Sequence, residues 1–217
     1  MSILYYTIGF CISDFIFSKL NVKGVYYLNH VINNVVVVYE SFPHILNCYT
    51  NFLGTIDTDV PINCMNITVA LHIYHILLYW PSLRTDDWLH HIIMIGIIIP
   101  LIYLYQIGGN VVGHGLFYIT GLPGGIDYTL LFLNRNGILV TRHQEKYVNS
   151  LLNLWIRCPG CIATAIFTLI MIQKLNMIQT LSDVLIAWFM MGALLWNGVY
   201  FMNDVVRNYH HILISAL

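Results

Sequence analysis

Residues 72–91 read HIYHILLYWPSLRTDDWLHH. Two apolar runs, each long enough to cross a bilayer, meet there at a short polar turn from Pro81 to Asp87. His72 and His75 lie on one side of the turn, His90 and His91 on the other. Imidazoles and carboxylates at such a place are costly against hydrocarbon. They persist where they face a bundle interior or a wet cavity, and mark a functional site by default. The stretch therefore constrains the fold to an all-α polytopic bundle with a polar interior.

The rest of the chain agrees with that constraint. Only 9% of the 217 residues are charged and 58% are hydrophobic, whereas a soluble domain carries roughly 25% charged residues. Mean hydropathy is +0.71. A net charge of −1 gives no electrostatic basis for a nucleic-acid partner. At about 20 apolar residues per crossing, the length accommodates about seven spans in one transmembrane domain. Met1 to Phe17 lacks the basic start and small-residue cleavage site of a signal peptide. The ending Ile214-Ser215-Ala216-Leu217 carries no retrieval motif.

The pattern predicts helices over roughly 2–18, 25–47, 62–80, 87–106, 111–133, 147–172 and 181–206. The fifth is expected to break at Gly121-Leu122-Pro123-Gly124-Gly125, and the sixth to kink near Pro159-Gly160. With seven spans, Lys19, Lys23, Arg84, Arg135, Arg142, Lys146 and Arg207 share one side, while Lys174 stands on the other. The positive-inside rule then puts the N-terminus in the lumen and the C-terminus in the cytosol. At about 1.5 Å per residue, His30, Asn33, Asn34, His72, His75, His90, His91, Asp127, Asn197 and Asp204 fall in the cytosolic half. So does a stripe formed by Asn149, Asn153 and Arg157. Six helices thus offer polar groups at one depth, which predicts a central chamber open to the cytosol.

Several groups in that half carry candidate chemistry. Asp87 reaches His90 or His91 at helical spacing. A carboxylate on one ring nitrogen fixes the tautomer and raises the basicity of the other, as in a general base or an activated nucleophile. The plainer alternative is that Asp86 and Asp87 cap the fourth helix. His75 either binds a head group or hydrogen-bonds across helices. Asp127 either caps a half-helix or faces the histidines as a carboxylate. Arg157 lies too deep to snorkel and needs an anion: Asp127, Asp204, or a ligand phosphate or carboxylate. The candidate set is therefore His90, His91 and Asp127 as catalytic groups. His75, Arg157, Asp87, Asn153 and Asn197 would bind substrate. No metal ligand set and no resident cofactor are expected. Cys158 and Cys161 have CxxC spacing but lie in an apolar helix, against a redox or zinc role. Cys48 and Cys64 flank the one long outer loop and are expected to bridge if that side is oxidising. The sequon Asn66-Ile67-Thr68 sits inside the third helix and is expected to be unused.

Tyr74-His75, Asp86/Asp87, His90-His91 and Asp127-Tyr128, with the spacing between them, resemble the motifs of TLC-domain membrane proteins, the superfamily of the ceramide synthases. The resemblance extends over roughly residues 25–205. It implies six or seven helices in an endomembrane such as the endoplasmic reticulum, around a lipid-holding cavity. Ceramide synthases transfer an acyl group from acyl-CoA to the amine of a sphingoid base. Where they carry a His-Asp pair before the final aspartate, this chain has Pro123 and Gly124. Members without that pair sense, move or regulate lipids. The resemblance thus implies membrane lipids as partners, acyl-CoA as a co-substrate if acyl transfer occurs, and a non-catalytic lipid sensor or transporter as the alternative. A homo-oligomer is compatible with either. A histidine-box di-iron oxidase needs about eight ligands in HxxxH and HxxHH clusters, and one HxxH plus one HH pair falls short.

Overall fold

A computed structural model describes residues 2–56, 58–105, 108–138, 140–174 and 180–215. The expected end of the fourth helix at 106, the side chain of Asp86 and the terminal Ala216-Leu217 lie outside the described residues. Among those residues every regular element is helical. In chain order they are α1 (Ile3–Lys19), α2 (Val25–Thr50) and α3 (Ile62–Tyr79), which ends in a 3-10 turn Trp80–Ser82. Next comes α4, which begins as Thr85–His90, passes through a π-helical stretch His91–Ile98 and continues as Ile99–Tyr105. The same three-part form recurs twice. In α5 it is Gly109–Leu116, π-helical Phe117–Gly121 and Leu122–Arg135; in α6, Arg142–Leu152, π-helical Asn153–Arg157 and Cys158–Lys174. The last, α7, is Leu181–Ser215.

Five of these are long and apolar enough to cross a membrane: residues 62–82, 87–104, 109–135, 142–174 and 181–214. The first two expected spans fall outside that set for separate reasons. α1, at 17 residues, is at the short limit of a crossing. α2 is long, but Asn29, His30, Asn33, Asn34 and Ser41 interrupt its apolar character, and all are buried.

The π-helical stretches have a common cause. Each ends two residues before a proline, at Pro100, Pro123 and Pro159. Proline has no N–H for the carbonyl four residues back, and its ring pushes that carbonyl away. The preceding turn opens to the wider spacing, and the span continues. The expected break at Gly121–Gly125 is therefore a π-helical bulge inside an unbroken α5. Pro43 leaves α2 α-helical, and nothing in the structure explains the difference. The start of α6 is also earlier than expected. Thr141 Oγ1 accepts from the Gln144 N–H at 3.2 Å while Gln144 Oε1 accepts from the Thr141 N–H at 2.9 Å, a reciprocal N-terminal cap.

Packing pairs α2 with α5, α6 with α7, and α1 with α3. Close approach depends on glycine at two crossings. A Cβ at Gly124 would lie 2.8 Å from Asn34 Nδ2, and one at Gly160 would overlap the Tyr118 ring. Asp14, a carboxylate inside α1, accepts from the hydroxyls of Tyr74 and Tyr79 and so ties α1 to α3. At one end of the bundle the α1–α2 and α5–α6 connections meet: Asn136 accepts from the Lys23 N–H at 3.2 Å and donates to its carbonyl at 2.8 Å. At the opposite end Asn110, fully buried, accepts from Asn47 at 3.2 Å and donates to Thr55 O at 2.6 Å.

That network accounts for the cysteines. Cys48 and Cys64 are both buried and free. The Cys48 thiol points to Asn110 O at 3.4 Å, the Cys64 thiol to Glu40 and Val37 O. The expected bridge is absent because the two sulfurs serve different helix contacts.

Candidate functional site

One pocket lies within the bundle, with residues flanking the α3–α4 turn among its lining and a volume of about 190 Å³. Its polar end is formed by imidazoles from three helices: His30 on α2, His72 and His75 on α3, and His90 and His91 on α4. Arg157 of α6 and Asn197 of α7 also line it. The remaining wall is mainly apolar, with Ile98, Ile99, Ile102, Val111, Val112 and Met190, and is interrupted by threonines such as Thr164 and Thr168. Six of the eight sequence candidates thus share it: His75, His90, His91, Asp87, Arg157 and Asn197.

The five rings form a connected cluster. Centroids lie 4.5 Å apart for His30–His75, 4.7 Å for His72–His91, 5.5 Å for His72–His90 and 5.8 Å for His75–His91. The Tyr128 ring closes the cluster, stacked 3.8 Å from His30. Helical backbone orients three of the five. The Nδ1 atoms of His30, His72 and His91 each face the main-chain oxygen four residues back, on Tyr26 at 2.8 Å, Thr68 at 2.7 Å and Asp87 at 2.5 Å. A carbonyl oxygen only accepts, so Nδ1 carries the hydrogen in each. In a neutral ring Nε2 is then left with its lone pair. His91 Nε2, His90 Nδ1 and both ring nitrogens of His75 are buried without a partner.

Asp87 orients His91 through its main chain, not its side chain as expected. Its carboxylate accepts from the Arg84 N–H at 2.9 Å and so caps α4, the plainer alternative raised by the sequence. Arg157 also finds a partner that its sequence context does not suggest. Its Nε and Nη2 donate to Ile119 O at 2.9 and 2.5 Å, and its Nη1 donates to Asn153 at 3.2 Å. Ile119 is four residues before Pro123, so its carbonyl lacks the usual helical donor. The guanidinium supplies that donor and packs 5.1 Å from the Phe201 ring.

Asn153 lies behind Arg157 rather than on the pocket wall. It is 2% exposed and is held by Asn149, to whose main-chain oxygen it donates at 2.9 Å. Asp127 is likewise off the wall: six residues into the second α-helical part of α5, it caps nothing. It lies within electrostatic reach of Glu145, Lys146 and Arg157, and its Oδ1 is buried without a partner. Glu145 is 2% exposed and pairs with Lys146 at 3.1 Å. Sequence reasoning missed Glu145, because a charged residue near a helix start reads as a cap. It also left His30 outside the candidate set, although its depth matched the other histidines.

Chemically the polar end offers imidazole lone pairs that accept a proton or a hydrogen bond, opposite a cation with hydrogens to donate. Among the described residues, no three His, Cys, Asp or Glu side chains converge as a metal site. In comparisons with protein-family models, curated proteins and solved structures, the chain matches none.

Proposed function

We propose that the protein binds a lipid or acyl chain, polar end against the histidines and Arg157, chain along the apolar wall toward Ile102 and Val112. The observation that carries this reading is the division of one pocket into a polar end and a mainly apolar remainder, in a chain with five helices long and apolar enough to cross a membrane. A ligand of matching polarity buries its chain at roughly 0.8 kcal/mol per CH₂ and brings partners to the unpaired ring nitrogens.

The membrane setting belongs to the same proposal. α1 and α2 complete seven spans around the pocket. The basic connections joined by Lys23 and Asn136 face the cytosol, the N-terminus is lumenal, and the membrane is the endoplasmic reticulum or a related one. The resemblance to TLC-domain proteins supports this choice. It adds a specific activity, transfer of an acyl group from acyl-CoA to a long-chain amine. His91 Nε2 would take the proton from the amine as its nitrogen attacks the thioester carbon, and Arg157 would stabilise the oxyanion formed there. Collapse of that intermediate would break the C–S bond, the imidazolium returning the proton to the departing coenzyme A thiolate. Lipid sensing or transport uses the same pocket without the transfer step.

Ala193, on the apolar wall, gives the test. Ala193→Trp should abolish retention of co-purifying lipid in native mass spectrometry while the protein remains folded. Undiminished lipid in that variant would contradict the pocket as the binding site. Amide formation from acyl-CoA that is lost in His91→Ala separates enzyme from carrier.

A further inference from the structure

We infer that the lipid held in this pocket has a single chain and a carboxylate head, and that Arg157 and Asn197 form the subsite for that head. The inference rests on the pocket reading above and assigns its ligand class.

Arg157 carries a charge with no anionic partner. Among the described residues the ion pairs within 4.0 Å are Arg84–Asp87 and Lys146–Glu145. Asp127, whose charge acts on Arg157, forms no ion pair with it within 4.0 Å, keeps its Oδ1 buried without a partner, and does not line the pocket. A guanidinium has five N–H donors. Three are committed, Nε and Nη2 to Ile119 O and Nη1 to Asn153. One hydrogen remains on each Nη, a pair that a two-oxygen anion takes together. A cation buried without an anion is unfavourable, and an anion arriving from the pocket offsets that cost.

Asn197 points the same way. It is 1% exposed, lines the pocket, and neither its Oδ1 nor its Nδ2 has a partner. An unsatisfied carboxamide in that position costs stability and contributes nothing to packing that leucine would not supply. Its Nδ2 donates to a carboxylate that already bridges the guanidinium. His90, close enough to Arg157 to feel its charge, adds the partnerless Nδ1. Beyond the head the lining is mainly apolar and the whole pocket measures about 190 Å³, a space that suits one chain better than two.

Equilibrium binding of labelled oleate and of methyl oleate to the full chain in phosphatidylcholine nanodiscs tests this, with empty discs as background. The two ligands share a chain and differ in head charge. Oleate should bind at least about tenfold more tightly. Asn197→Leu, which replaces an unpaired carboxamide with an apolar group of similar size, should leave the thermal unfolding midpoint unchanged or higher and weaken methyl oleate much less than oleate. It should weaken oleate about tenfold, which is about 1.4 kcal/mol. Equal affinity for both ligands would overturn the carboxylate subsite and leave the pocket reading intact. Binding of neither above the empty discs would overturn the pocket reading itself. Displacement of oleate by millimolar inorganic phosphate would show that a free anion, not a lipid head, occupies the site, and would also overturn the inference.

Discussion

Asp87 shows how a side chain and its own main chain can divide two tasks. The carboxylate caps α4 on the Arg84 N–H, and the carbonyl holds His91. Asp87→Asn should therefore cost about 0.5–1 kcal/mol in thermal unfolding, the loss of a charged cap, yet leave lipid affinity within about twofold, because His91 keeps its backbone partner. A fall in affinity as large as that of His91→Ala would show that the carboxylate acts on the ring. Residue types and depths are legible in the amino-acid sequence itself: His75, His90, His91 and Arg157 reach one pocket because each is expensive anywhere else. Their partners are not legible there. Spacing places Asp87 one turn from His91, but does not say whether carboxylate or carbonyl makes the bond. An acid is the natural partner for Arg157, and a proline-orphaned carbonyl takes its place.

At the scale of helices, proline sets the irregularities and polar side chains answer them. The carbonyl of Ile119 lacks a helical donor because position 123 is proline, and Arg157 supplies one. Arg157→Gln should then destabilise the protein by about 2–3 kcal/mol, the cost of an unpaired buried carbonyl and a lost charge-assisted bond. Pro123→Ala restores an N–H at that position, so the same Arg157→Gln change should cost roughly half as much in that background. Strict additivity of the two changes in denaturation midpoints would contradict the pairing. The prolines at 100, 123 and 159 are in plain view, and irregularities at two of them are expected from the sequence. What the sequence does not disclose is that each is preceded by a π-helical stretch, where a break is expected at Gly121–Gly125 and a kink near Pro159-Gly160. That outcome depends on whether neighbouring helices cover the freed carbonyls.

For the whole molecule, tyrosine hydroxyls on Asp14 join α1 to α3, and Asn110 gathers the far ends of α2 and α5. This end needs no covalent link. Reductant should shift the unfolding midpoint by less than about 1 °C, whereas loss of a bridge typically removes 2–5 kcal/mol. Cys48 and Cys64 should resist alkylation until denaturant is added; a disulfide in the non-reduced peptide map would contradict this. The all-helical character and five helices long and apolar enough to cross a membrane are legible from hydropathy, since period and length depend on composition. The histidine cluster is only partly so, because ring-to-ring contact across α2, α3 and α4 depends on helix rotation. The central claim is that this interior, and not the outer surface, holds an acyl chain. Photocrosslinking with a fatty acid carrying a diazirine near its chain end tests it most directly. Labelled peptides should contain Ile98–Ile102 and Val111–Val112, at the apolar end of the pocket. Label confined to outward-facing positions such as Leu104 and Trp155, which are 74% and 70% exposed, would contradict it.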